Sequence, residues 1–288
     1  MNKTKILILG CRSFASQGLP ELLAESGFDV NCFARGEEGK VGNLITGDSF
    51  SLCSNNYLNE DYDIVINFVI IKNCSVNENI KYAKELVKYC SERRVKHLIQ
   101  ISSISVYSND AKLIDEQSLI EQNHEDKGSY AAVKIAVDKY LMSASSIDCH
   151  VSFVRPGFIV SKDKLPSLAG VLKPIAFNLG LLWGNKETIL PSVERESLHR
   201  AISIILKRDL KNSVYLIFSN SLGTKYNFVK NRFNYKIIFL PKRLILSISK
   251  ILLTLKIFNR KQHKQVVGLF KTTLFDSSQT EKELNMKF

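Results

Sequence analysis

The sequence predicts an α/β protein, a doubly wound parallel sheet with a small C-terminal lobe, and three observations predict it. Short apolar runs alternate with helical patterns through the first half of the chain, as βαβ units require. Those runs are apolar on both faces, as strands covered by helices on each side must be. The composition, 45% hydrophobic and 24% charged over 288 residues, suffices for a large packed core and excludes a chain disordered throughout.

In chain order, the first strand is expected at Lys5 to Leu9 and ends in the turn Gly10-Cys11-Arg12-Ser13-Phe14-Ala15-Ser16. A helix follows at Gly18 to Ser26, then strands at Asp29 to Phe33 and Ile64 to Phe68. The next helix, Glu78 to Glu92, is opened by a capping box of Ser75 with Glu78. A strand at His97 to Ser102, a helix at Tyr130 to Ser143 and a strand at Cys149 to Val154 complete the regular part. Beyond Pro156 the alternation loosens into a helix at Arg195 to Lys207, a strand at Val214 to Phe218 and basic amphipathic helices after Pro241. Residues 1–160 are therefore expected to form the core, and 161–288 to complete it and add a basic, mostly helical lobe.

Several classes of function are disfavoured by composition. Six scattered cysteines without a CxxC pair, and five scattered histidines, predict neither a disulfide framework nor a metal site, and they suit a reducing cytoplasm. The longest apolar stretch, Leu244 to Phe258, is interrupted by Lys250 and Lys256 and falls short of a membrane span, which needs roughly 20 residues. Net charge is +12, and no Asp or Glu occurs from Leu210 to Phe275. Such a cationic surface suits a nucleic acid, an anionic bilayer, a phosphorylated small substrate, or simply solvent. Leu244, Ile245, Ile248 and Leu252 are expected to be a buried helix stripe and no recognition motif accompanies them, so no nucleic acid is predicted as partner.

The chemistry concentrates at strand ends. The turn after the first strand holds only the first glycine of a dinucleotide fingerprint, with Ser13 and Ser16 where others would let backbone approach phosphate. Taken alone, this loop fits a plain strand-turn-helix equally well. Downstream, the run Ser102-Ser103-Ile104-Ser105-Val106-Tyr107 delivers hydroxyls to the C-terminal end of a buried strand, where open α/β sheets bind ligands. Tyr130 and Lys134 then stand four residues apart on one helical face. A nearby ammonium favours the phenolate, so the pair is expected to lower the tyrosine pKa and make Tyr130 an acid or base. Tyr226 and Lys230 share the spacing and act as an internal control, expected at the surface.

In this order and spacing, the Gly10 loop, Gly47-Asp48, Asp63 to Asn67, Asn79, Ser102 to Tyr107, Tyr130 to Lys134 and Arg155-Pro156-Gly157 resemble the extended short-chain dehydrogenase/reductase family. That group comprises Rossmann-type, NAD(P)-dependent epimerases, dehydratases and reductases of nucleotide sugars. The resemblance implies that Ser103, with Ser105, binds the substrate oxygen, that Tyr130 exchanges a proton with it, and that Lys134 holds the nicotinamide ribose. It places Gly10, Arg12, Ser13, Phe14 and Ala15 along the cofactor, Asp48 at the adenine, Asn67 and Val69 in the cleft, and Pro156 and Gly157 near the nicotinamide. Arg35 stands where NAD-specific members carry an acid, and Arg12 matches the Gly-x-Arg loop of GDP-fucose synthetases, so NADP(H) is expected over NAD(H). A solvated turn residue is the other reading of Arg35.

The expected activity is NADP(H)-dependent reduction of a nucleotide-linked keto sugar in polysaccharide or glycoconjugate biosynthesis. An NAD-dependent epimerase using the same residues, and a non-catalytic NAD(P)-binding sensor or scaffold, stay open beside it. So do weak association with a membrane surface through Pro241 to Lys264, and a homodimer through the Glu78 to Glu92 and Tyr130 to Ser143 helices.

Overall fold

The computed structural model describes residues 3–71, 73–144, 149–161, 172–176, 178–182, 184–220, 223–233 and 235–288. The chain runs β1 (Lys5–Leu9), α1 (Leu19–Glu25), β2 (Asp29–Arg35), β3 (Gly39–Val41), β4 (Leu44–Gly47), β5 (Ile64–Asn67), α2 (Val76–Glu92), β6 (His97–Ile101), β7 (Leu113–Ile114), α3 (Ser129–Ser143) and β8 (His150–Pro156). It continues through β9 (Phe158–Val160), β10 (Leu172–Ala176), β11 (Leu179–Leu182), β12 (Ser192–Glu194), α4 (Arg195–Lys207), β13 (Val214–Ile217) and α5 (Lys225–Arg232). It ends with β14 (Lys236–Phe239), α6 (Lys242–Thr254), α7 (Arg260–Gly268), β15 (Leu274–Phe275) and α8 (Ser278–Leu284).

Eight strands form the main sheet in the order β13-β8-β6-β5-β1-β2-β4-β3, parallel throughout except for β3 against β4. The chain builds outward from β1 through β2 and β4, then crosses back to build β5, β6 and β8 on the other side. The reversal lies between β1 and β5, and a crevice opens at such a point. Helices α2 and α3 cover one face through Tyr82, Leu86, Tyr89, Val133, Val137 and Leu141. On the other face, α1, α4 and α8 pack through Leu19, Leu23, Leu198, Ile202, Ile205 and Leu284. Each such side chain contributes about 1.5–3 kcal/mol of burial, which explains why the strands are apolar on both sides. The capping box forms as expected: Glu78 N donates to Ser75 Oγ at 3.2 Å and Ser75 N to Glu78 Oε2 at 2.7 Å.

The C-terminal region combines the helices α4 to α8 with short strands that no sequence pattern placed. Strands β10, β11 and β14 form a separate three-stranded sheet with its own small core of Val160, Leu172, Leu182, Phe228 and Val229. β10 and β11 pair as a local antiparallel hairpin, while β14 joins β11 over a long separation, Leu179 with Lys236 for example, which no local period announces. The helix stripe after Pro241 is a correction. Leu244 and Ile248 are exposed, and Ile245 and Leu252 are only half-buried, because α6 rests on α7 by its other face.

Candidate active site

Ser103 follows β6, where the chain turns through the 3-10 segment Ile104–Val106. Its Oγ accepts the Ser105 amide at 3.1 Å, which leaves the hydroxyl proton to donate outward. The Ser105 hydroxyl is buried without a partner among the described residues. Tyr130 opens α3 and its phenol meets the Ser103 hydroxyl. The tyrosine is 55% exposed as a whole. Even so, desolvation raises its pKa above the usual 10, while the Ser103 hydrogen bond pulls it down.

Lys134, one turn along α3, is buried, and its Nζ donates to the Ile101 carbonyl at the end of β6. Desolvation lowers its pKa to about 8, opposed by the charge of Asp138. This corrects the expectation that the ammonium draws the phenol pKa down. The buried cation bonds to a strand-end carbonyl, and desolvation decides the direction at Tyr130.

Beneath these groups lies a buried ionic cluster that the sequence reading did not single out. Asp138, fully buried on the next turn of α3, accepts from Ser102 Oγ at 2.7 Å and from Arg155 at 3.3 Å. Arg155, in β8, also donates to the Tyr107 hydroxyl at 2.9 Å and lies over the Tyr107 ring. Burial pushes the Asp138 carboxyl up, while Arg155, Ser102 and Lys134 pull it back. The cluster joins the strand end before Ser103 to the helix that bears Tyr130. A signal was available, since Asp138 is an acid inside an apolar helix, four residues from Lys134.

A cleft opens at the strand ends beside the reversal. It is lined by Gly10, Arg12 and Ser13 after β1, by Phe33, Ala34 and Arg35 at the end of β2, by Ser49 after β4, and by Phe68 to Ile71 after β5. Gly10 has φ +81°, and a Cβ there would stand 3.1 Å from the Val69 side chain, so glycine lets the loop approach β5 this closely. Ser13 and Ser16 place their hydroxyls 2.9 Å apart, and the buried Ser16 also donates to the Gly10 carbonyl. Successive turns, Ser13 N to Gly10 O, Ser16 N to Ser13 O and Leu19 N to Ser16 O, carry the chain to α1. The helix therefore starts at Leu19 with Gly18 as its N-cap, at the expected position, and a run of turns separates it from the Gly10 loop.

Other expected cofactor residues take different positions. Asn67 lies inside, donating to Gln100 Oε1 and accepting from Tyr82 at 2.7 Å each, and its Oδ1 also accepts the Val69 amide at 3.1 Å. It thus orients the Val69 backbone at the cleft wall. Asn79 braces the same loop by accepting the Ile71 amide at 3.0 Å. Phe14 lies under the Arg195 guanidinium and the Ala15 carbonyl bonds to His199, both on the α4 side of the loop. Asp48 is exposed and accepts the Phe50 amide, leaving the neighbouring Ser49 to line the cleft. Pro156 ends β8, and Gly157 is required by packing, because a Cβ would come within 2.5 Å of the Pro191 carbonyl oxygen. Of the control pair only Lys230 is exposed; it lies over the Tyr226 ring at 5.8 Å, while Tyr226 is half-buried against the small core of the three-stranded sheet.

The cleft residues fit the adenosine and phosphate part of a dinucleotide: two guanidiniums, two serine hydroxyls and an apolar wall. The fold and the family match define a Rossmann-type, NAD(P)-dependent enzyme of the short-chain dehydrogenase/reductase class. The chain belongs to the NAD-dependent epimerase/dehydratase family, whose sequence profile matches residues 6–176. Among curated protein sequences there was no match. Solved structures share the fold. Gox2253 superposes with a TM-score of 0.74 at 16% identity, over 99% of this chain and 93% of that one. The human epimerase family protein SDR39U1, isoform 2, solved with NADPH, gives 0.66 at 15% identity, over 99% and 95%. The UDP-N-acetylglucosamine 4-epimerase of Bacillus cereus gives 0.64 at 15% identity, over 99% and 94%.

Proposed function

We propose that the chain is an NADP(H)-dependent reductase of a nucleotide-linked keto sugar in polysaccharide or glycoconjugate biosynthesis. The observation that carries this reading is that Arg12 and Arg35 line one cleft with no carboxylate among its described lining residues. A 2′-phosphate is dianionic and suits guanidinium partners, whereas an unphosphorylated ribose is held by an acid. The nucleotide-sugar part draws support from relatives such as the Bacillus cereus epimerase.

When bound, the cofactor supplies hydride to a keto carbon. Tyr130, kept protonated at neutral pH by its raised pKa, donates its proton to the alkoxide oxygen as charge develops there. Ser103 turns its hydroxyl proton from the Tyr130 oxygen to the same substrate oxygen and orients it. Lys134 holds its cation behind them, against the Ile101 carbonyl.

Titration with NADPH and NADH tests the cofactor assignment. NADPH is expected to bind at least about tenfold tighter, and Arg35→Glu to erase that margin by weakening NADPH alone, a loss of about 1.4 kcal/mol or more. Equal or tighter binding of NADH would overturn the preference. Oxidised cofactor retained through purification, with no net redox product, would mark an epimerase instead.

The pH profile follows from Lys134. With a pKa of about 8, the side chain is charged below that pH and neutral above it, while Tyr130 stays protonated across the same window. The kcat/KM for reduction is therefore expected to be level near neutrality and to fall as pH rises through about 8. Lys134→Arg, if active, moves that limb upward, because a guanidinium stays charged to beyond about pH 12.

A further inference from the structure

Helix α6 presents an apolar stripe to solvent. Leu244 (47% exposed), Ile248 (45%), Ile251 (57%) and Leu255 (62%) recur at intervals of three and four residues, which places them along one side of the helix. Its other side is occupied, with Ser249 Oγ 2.8 Å from His263 Nδ1 of α7. An open hollow along the helix is lined by Ser247, Lys250, Ile251, Thr254 and Leu255. Just beyond the stripe, Ile257 is 63% exposed.

The charge carried by α6 and α7 themselves has one sign. Lys242, Arg243, Lys250 and Lys256 are exposed on or beside α6, Arg260 and Lys261 are exposed on α7, and the surrounding run from Leu210 to Phe275 contains no acid. A second copy of the chain seated on this face would bring like charges together. An anionic surface would not, and an apolar stripe flanked by lysine and arginine matches the boundary between acidic headgroups and acyl chains. Thirteen residues at 1.5 Å each give about 20 Å of helix. No helix among the described residues is long and apolar enough to cross a membrane, so α6 is suited to lie in the interface plane.

We propose that α6 docks the protein on an anionic lipid bilayer, with Leu244, Ile248, Ile251 and Leu255 inserted below the headgroups and the flanking lysines and arginines on lipid phosphates. The proposal is independent of the reductase reading. It is tested by co-sedimentation of the full chain with phosphatidylcholine vesicles, with and without phosphatidylserine, at low and high salt. Binding is expected only with phosphatidylserine, weakening with salt. The triple variant Ile248→Gln, Ile251→Gln, Leu255→Gln, which keeps the charge and a helix-compatible sequence, is expected to bind at least tenfold more weakly. Its circular dichroism and NADPH titration should match the parent, which separates lost docking from lost folding. Absence of binding to phosphatidylserine vesicles at low salt, or undiminished binding by the triple variant, would overturn the proposal. So would self-association of the parent in sedimentation velocity that the triple variant abolishes, since the stripe would then be a contact between copies.

Discussion

Tyr130→Phe is expected to lower kcat for keto-sugar reduction by at least about 10²-fold while leaving NADPH affinity within a factor of about two. The variant removes one oxygen from a residue that is 55% exposed and is not among the residues lining the Arg12 and Arg35 cleft, so neither the fold nor that cleft should change. What it removes is the proposed proton donor, the phenol beside the Ser103 hydroxyl. Ser103→Ala is the companion: it retains the acid but loses the second donor, and a smaller drop in kcat is expected. Single-turnover reduction followed by the loss of NADPH absorbance reads the chemical step directly. Unchanged turnover in Tyr130→Phe would remove Tyr130 from the mechanism.

Asp138→Ala is expected to be the most destabilising single change in the site, by about 3–5 kcal/mol, because it leaves the Arg155 guanidinium buried without its counter-charge. In a chain of this size each kcal/mol moves Tm by about 2–4 °C, so a drop of roughly 10 °C is anticipated in a thermal melt. The double variant Asp138→Leu, Arg155→Met removes both charges and fills the space with apolar groups, and it should recover much of that loss. Stability and function should then separate. The double variant is expected to remain slow, because the Ser102 hydroxyl no longer has its carboxylate acceptor and Lys134 loses the charge that supports its protonation. Recovered Tm together with recovered kcat would reduce the cluster to a packing feature. A single variant melting like the parent would contradict the buried ion pair.

Much of this molecule was legible locally. The alternation of apolar runs placed β1, β2, β5, β6 and β8 within a residue or two, and the helix expected at Arg195 to Lys207 has those bounds. The capping box marked the start of α2 because its hydrogen bonds span only three residues. Ser103, Tyr130 and Lys134 could be singled out from spacing, since a strand end and one helical turn are local geometry.

The edges of that legibility are physical. The family resemblance implied that Asn67 lines the cleft, but its amide is spent on Tyr82, Gln100 and Val69, whose approach depends on three separate segments. Lys134 was expected to serve the phenol, and burial against the Ile101 carbonyl set its bond instead. The stripe on α6 has the period of a core helix, and a period states only that one side is apolar. By itself, then, the sequence determined the order of the core strands β1, β2, β5, β6 and β8, the sheet class and the candidate residues Ser103, Tyr130 and Lys134. The tertiary structure decided which side of α6 meets solvent, which hydroxyls and charges pair, and how Arg12 and Arg35 share one cleft, because those outcomes depend on contacts between segments far apart in the chain.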